Sequence, residues 1–107
     1  MASRVFVIQE KPEIDITPAE QFGELVVCLK PGRDFYRDPD KTTQILNERL
    51  QDFGPDDYLL LLGDPVAIGV AAQIASHVNK GSVRYLLWLR RKHVYRAIRV
   101  GLPHMKV

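Results

Sequence analysis

Two stretches of this 107-residue chain carry side chains that could do chemistry. The first is Leu62-Gly63-Asp64-Pro65, which sets a carboxylate between an apolar run and a helical pattern that opens on proline. Ligands in open α/β sheets gather at the carboxyl ends of strands, so Asp64 is the candidate ligand- or metal-binding residue. The same Asp-Pro pair also makes an ordinary helix N-cap, whose side chain accepts a backbone N–H bond worth about 1 kcal/mol. No Gly-x-Gly-x-x-Gly or Walker-type loop accompanies it, so nucleotide binding through a glycine loop is unsupported. The second stretch runs from Arg84 to Arg99. Alternation sends Tyr85, Leu87 and Leu89 to one face and Arg84, Leu86, Trp88 and Arg90 to the other, so Trp88 shares a surface with cations. Aromatic rings beside phosphate-seeking arginines suit nucleic acid, and the cations alone suit an acidic protein surface. Arg84, Trp88, Arg90, Arg91, Lys92, Arg96 and Arg99 are therefore the candidate binding residues. The competing reading makes Trp88 core and the arginines guards of a sheet edge. A second copy of the chain, added at that edge, is a further candidate partner.

The other reactive residue types form no constellation. Asp56 and Asp57 are adjacent carboxylates at the amino end of their strand, opposite the usual ligand side, and are read as solvated. His77, His93 and His104 are too far apart to give a metal-ligand spacing. Cys28 falls inside an apolar strand and is expected to pack as a small hydrophobe. There is no Gly-x-Ser-x-Gly elbow, so the chain is read as a non-enzyme that needs no cofactor and no metal.

These residues need a scaffold, and the pattern supplies one. Arg4–Gln9 and Glu24–Leu29 are β-rich runs, the second apolar enough to suggest burial on both faces. Thr17, Pro18 and Glu20 form a helix-start signature that Gly23 cuts short, with Thr17 as the cap. Residues 32–40 are the longest irregular segment and the best candidate for a mobile loop, unless Phe35 and Tyr36 pin it. From Asp38 to Phe53 apolar residues recur at helical spacing, with Asp38 or Asp40 as cap and Gly54-Pro55 as stop. Tyr58–Leu62 reads as a central strand, and Pro65–Val78 as a helix packed closely on a sheet. Gly69 costs that helix about 1 kcal/mol relative to Ala, and a close approach to the sheet is its expected reason, a ligand the alternative. Val83–Leu89 and His93–Val100 make an antiparallel hairpin around Arg90-Arg91-Lys92, in a looser loop than an Asn-Gly turn would give. Residues 104–107 are expected to fray. The fold class is α/β: a small Rossmann-like layer with a mainly parallel sheet, two main helices and a carboxy-terminal hairpin, in one domain over residues 1–107. Where the first strand lies relative to the second stays open.

Charge is distributed unevenly. Residues 1–79 carry seven Lys or Arg and all 13 Asp or Glu, whereas residues 80–107 carry eight Lys or Arg and no acid. The composition is 46% apolar and 26% charged, which excludes collagenous, low-complexity and disordered classes. No apolar run reaches the ~20 residues a membrane helix needs, and no secretory signal is read, so a soluble protein with no membrane partner is expected. Asp57-Tyr58-Leu59-Leu60-Leu61-Leu62-Gly63-Asp64-Pro65-Val66-Ala67-Ile68, with Leu86-Leu87-Trp88 and Tyr95, resembles small uncharacterised phage-encoded α/β proteins. The likeness spans about Asp56 to Val100, and more loosely Phe22-Gly23-Glu24-Leu25. Those proteins tend to read Trp-Asp-Arg where this chain has Trp88-Leu89-Arg90, so its hairpin tip is more basic. The resemblance implies a viral origin and a host-cell cytoplasm, and it supplies no catalytic residues; the partner, nucleic acid or an acidic host-protein surface, is read from the charge polarity and the aromatic interleaving.

Overall fold

Alternation along one strand sets the two sides of the molecule. In β1 (Arg4–Gln9) Val5 and Val7 belong to one buried cluster and Phe6 and Ile8 to the other, and all four are buried. The structure, a computed structural model, describes residues 2–103, so the fraying expected of residues 104–107 falls outside them. β2 (Glu24–Leu29), β3 (Tyr58–Leu60), β4 (Ser82–Leu89) and β5 (Val94–Gly101) complete one sheet in the order β2-β1-β3-β4-β5. The first three pairings are parallel, and β4 with β5 is antiparallel. The mixed α/β class read from the sequence is the observed one, with β1 between β2 and β3.

The helices α1 (Pro39–Leu50) and α2 (Pro65–Val78) lie together on the Phe6 and Ile8 side. Leu46, Leu50 and Phe53 deliver the apolar stripe from α1 and its exit, and each fully buried leucine is worth roughly 1.5–3 kcal/mol. Ala67, Ala71 and Ala75 recur every four residues on α2, making a flat row that lets its backbone approach the sheet. Asp38 caps α1 by accepting from Lys41 N. On the other side, among the described residues, only a chain segment ending in the 3₁₀ turn Thr17–Phe22 crosses the sheet, and Ala19 is buried in one cluster with Val5, Val7 and Leu86.

β2, read as covered on both faces, sends Leu25 and Val27 to one cluster and Val26, Cys28 and Leu29 to the other, while it lies at the edge of the sheet with Glu24 exposed. Three expectations are corrected. Thr17 caps nothing: Ile16 holds the cap position without a side-chain bond, and the Thr17 N–H donates to Asp15. Gly69 faces solvent, and a Cβ there would meet nothing, so no close approach explains it. Asp57 is not solvated; it is 4% exposed and accepts from Arg4 N, Gly54 N and the Arg4 guanidinium, at 2.8 Å to Nη2. That carboxylate ties the entry of β1 to the turn before β3, and Asp52 pairs with the same guanidinium.

Two stability outcomes follow from these positions. Asp57→Ala strips several partly buried donors of their acceptor and should lower the urea-unfolding free energy by about 2–4 kcal/mol. Gly69→Ala should raise it by up to about 1 kcal/mol, since it removes backbone entropy at an open helical position.

Candidate functional site

The strand order turns back on itself between β1 and β3, so the crevice beyond their carboxyl ends is the topological switch point where ligands of doubly wound sheets bind. Here the chain's own polar groups bond to one another at that point. Gln9, buried at the end of β1, donates through Nε2 to Lys30 O and Arg33 O and accepts through Oε1 from Asp64 N at 2.7 Å. Gly63 has φ +116°, and a Cβ there would collide with the Gln9 side chain. Both Asp64 oxygens are engaged: Oδ1 accepts from Val66 N at 2.8 Å as the cap of α2, and Oδ2 accepts from Phe35 N at 3.0 Å. These backbone N–H groups, Phe35 first, then Val66 and Ala67, hold the Asp64 carboxyl below its ordinary value. The segment 32–40 read as a mobile loop is thereby held at Arg33 and Phe35, with Phe35 buried and Tyr36 exposed. A cleft of about 390 Å³ opens onto this knot, with Gln9, Gly63 and Asp64 in its wall together with Lys11, Glu13 and Arg33.

The second candidate, the β4–β5 ribbon, divides into unlike parts. Cross-strand pairing aligns Arg84 with Arg99, Leu86 with Ala97 and Trp88 with Tyr95, all on the side away from the helices. Arg84 is folded inward: its guanidinium lies 4.0 Å from the Tyr58 ring centre, and its Nε is buried without a hydrogen-bond partner. Trp88 is half-buried, 4.9 Å from the buried Tyr95 ring and 5.8 Å from His93. The Tyr95 hydroxyl donates to Asp15 O, fastening the ribbon to the segment that crosses the sheet. Arg90, Arg91 and Lys92 are exposed in the turn, where His93 adopts the left-handed conformation at φ +53° and closes the loop by donating to Leu89 O. Arg96 points to the helix side, opposite Leu87, and Arg99 to the other. The seven proposed residues therefore form a basic tip beside Trp88, an Arg84–Arg99 pair about 13 Å along the same face by strand rise, and Arg96 behind. A cleft of about 570 Å³ separates Trp88, Arg90 and His93 from the segment carrying Glu13, Ile14 and Asp15.

Sequence reasoning overlooked Gln9, whose partners stand 21, 24 and 55 residues away and leave no local signature. Cys28 packs as expected, and burial pushes its thiol up to about 12, with Arg49 pulling weakly the other way. Among the described residues no three His, Cys, Asp or Glu side chains gather where they could hold a metal ion, and no helix is long and apolar enough to cross a membrane.

A mostly parallel five-stranded layer with a self-bonded switch point and a cationic antiparallel edge defines a small mixed α/β protein. Residues 3–102 match the model of the phage Pam3 gp32-like protein family, and the chain belongs to that family. The phage connection implied by the sequence resemblance thus holds at the level of the family. Comparison with curated proteins found no match, and comparison with solved structures found none.

Asp64 ties stability to acid. Its folded carboxyl titrates below the unfolded one, so its contribution is fully present above the ordinary carboxylate pKa and is lost as pH falls through the depressed value. Asp64→Ala should cost about 1–2 kcal/mol near neutral pH, and its unfolding free energy should lie closer to wild type on the acid side of that window. Urea unfolding across the range pH 2–7, by order of magnitude the carboxylate span, checks both.

Proposed function

We propose that this phage protein is a non-catalytic accessory protein whose carboxy-terminal ribbon docks an acidic segment of a host protein, in the host-cell cytoplasm. The observation that carries the reading is the mixture of groups on β5 and its turn. Arg90, Arg91, Lys92, Arg96 and Arg99 are exposed and without a carboxylate partner among the described residues, and Val94, Ile98 and Val100 are exposed between them. Protein interfaces combine arginine with apolar contacts, and charge complementarity steers the encounter. Single-stranded nucleic acid asks instead for open aromatic faces on which bases stack. On this ribbon the Trp88 and Tyr95 rings are spent on each other, and Tyr95 is buried, which favours a polypeptide over a nucleic acid strand.

Trp88 is the only tryptophan and sits beside the basic turn, so its emission reports binding there. Titration with polyglutamate at low salt should change that emission, with affinity falling as salt rises. Replacing Arg90, Arg91 and Lys92 together by Gln should weaken binding about tenfold, a loss of about 1.4 kcal/mol. Gel shifts with single- and double-stranded DNA and RNA at the same salt should stay weak. Strong shifts without a polyglutamate response would replace the acidic protein by nucleic acid, and silence toward both would remove the ribbon as a binding surface.

A further inference from the structure

We infer that the outer edge of β5 is a strand-addition site, taking an extended acidic-apolar segment of the partner as the sixth strand of the sheet. This rests on the ribbon being a docking surface for an acidic protein, and it specifies the geometry of that docking.

The backbone supplies the first argument. Leu102 N donates to Gly81 O at 2.8 Å, so residues 81 and 102 form a hydrogen-bonded pair in register with the β4–β5 ladder. Such pairs alternate in an antiparallel ladder. Val100, Ile98, Arg96 and Val94 therefore bond inward to β4, and Tyr95, Ala97 and Arg99 turn their N–H and C=O groups to the open edge. The inward half of the same alternation is visible on β4, where Leu86 O faces β3 and accepts from Leu61 N. Among the described residues nothing takes up the outward row. β5 is also eight residues long with an unbroken register, lacking the bulge, internal proline or short length that ordinarily blunts a sheet edge.

The side chains supply the second argument and name the occupant. On the helix side Val94, Ile98 and Val100 are 44%, 43% and 41% exposed, and Leu102 beyond the strand is 63% exposed. A cleft of about 520 Å³ opens there between α2 and β5, with Ala72, Val83, Tyr85 and Val100 among its walls. Arg96 stands on that same side, Arg99 stands on the opposite face, and the basic turn adjoins both; residues 80–103 themselves carry no carboxylate. A strand laid along this edge meets Val94, Ile98 and Val100 on the helix side and Arg99 on the other, with Arg96 and the turn adding positive charge, so a matching strand sets apolar residues toward the first face and acids toward the second. A second copy of β5 would bring more arginine and no acid, adding like charge along the new ladder. The two arginines thus repel self-pairing while attracting an acidic strand.

The probe is an acetylated peptide of about seven residues alternating Glu and Val, enough to span a strand of ordinary length. Hydrogen exchange followed by NMR reads the geometry: on binding, the amides of Tyr95, Ala97 and Arg99 should gain protection, while those of Val94, Arg96, Ile98 and Val100 are already protected in the free protein. The Lys/Val counterpart and a Glu/Val peptide N-methylated at alternate amides should both fail to bind. Ala97→Pro removes an outward donor without touching the β4 ladder and should weaken the Glu/Val peptide about tenfold or more. Should that variant not fold, the exchange pattern of the wild type decides alone. Peptide binding without protection of the outward amides, or undiminished in a folded Ala97→Pro, would overturn strand addition while leaving the ribbon an acidic-protein surface. Protection of those amides without peptide, together with dimers in sedimentation, would hand the edge to a second copy. Failure of every acidic probe to bind would instead bring down the reading on which the inference rests.

Discussion

The carboxamide of Gln9 holds together the part of this fold where function would ordinarily sit. One side chain joins three arrivals at the carboxyl end of the sheet: the exit of β2 through Lys30 and Arg33, the turn out of β3 through Asp64 N, and β1 itself. It is buried, so its amide group must be satisfied, and an unmet donor or acceptor there would cost about 1–3 kcal/mol. Gly63 is the counterpart of that demand, since only a residue without Cβ lets the turn close over Gln9. Asp64 then caps α2 and holds Phe35 with the oxygens a ligand site would have offered. In doubly wound sheets the switch point is a crevice because flanking loops diverge from it. Here the loops are drawn together, and the polar groups at its centre satisfy one another.

The two sides of the sheet are covered unequally, and this determines what the ribbon exposes. Both helices lie on one side, and their joint cluster reaches from β2 to β4. Among the described residues the other side has only the crossing segment that ends in a single 3₁₀ turn, anchored just before that turn by the Tyr95 hydroxyl on Asp15 O. No crossover helix follows β4, because the chain returns through the turn at residues 90–93 to make β5. The last strand is therefore paired along one edge and covered on neither face for most of its length, which is why Val94, Ile98 and Val100 stay exposed in a strand that pairs along its whole length. Exposure at β5 is a consequence of topology, and the side chains placed there decide what it is used for.

Much of this was legible in local pattern. Periods of 3.6 and 2 identify α1, α2 and the ribbon, and the Asp64-Pro65 cap is both read and found. What local pattern could not carry was anything lateral or long-range. The apolar run of β2 is as strong as that of an inner strand, yet it lies at the edge, because β1 occupies the middle position between it and β3. Asp57 looks like one of two solvated acids until Arg4, 53 residues away, arrives to pair with it. Gln9 is an ordinary polar residue at a strand end until three distant backbones converge on it. The likeness to phage proteins holds at the level of the family, whose model matches residues 3–102.

The charge polarity of the sequence survives folding, and the reason is spatial. The ion pairs among the described residues join Arg4 to Asp52 and Asp57, and Arg37 to Asp34, all outside the ribbon. Among the described residues no ion pair joins the acids of the amino-terminal three quarters to the ribbon, and its exposed cations remain without carboxylate partners there. At physiological salt charges act over about 8 Å, so cations spaced along one short ribbon act together on whatever approaches it. Such a field selects for acidic character and orients the encounter, but exposed charges alone hold a partner weakly. Lasting contact needs directional bonds and apolar burial, and β5 offers both on the same strand that carries the charge. A partner drawn in by the arginines therefore reaches, within the same few ångströms, an open row of backbone groups and three exposed β-branched side chains.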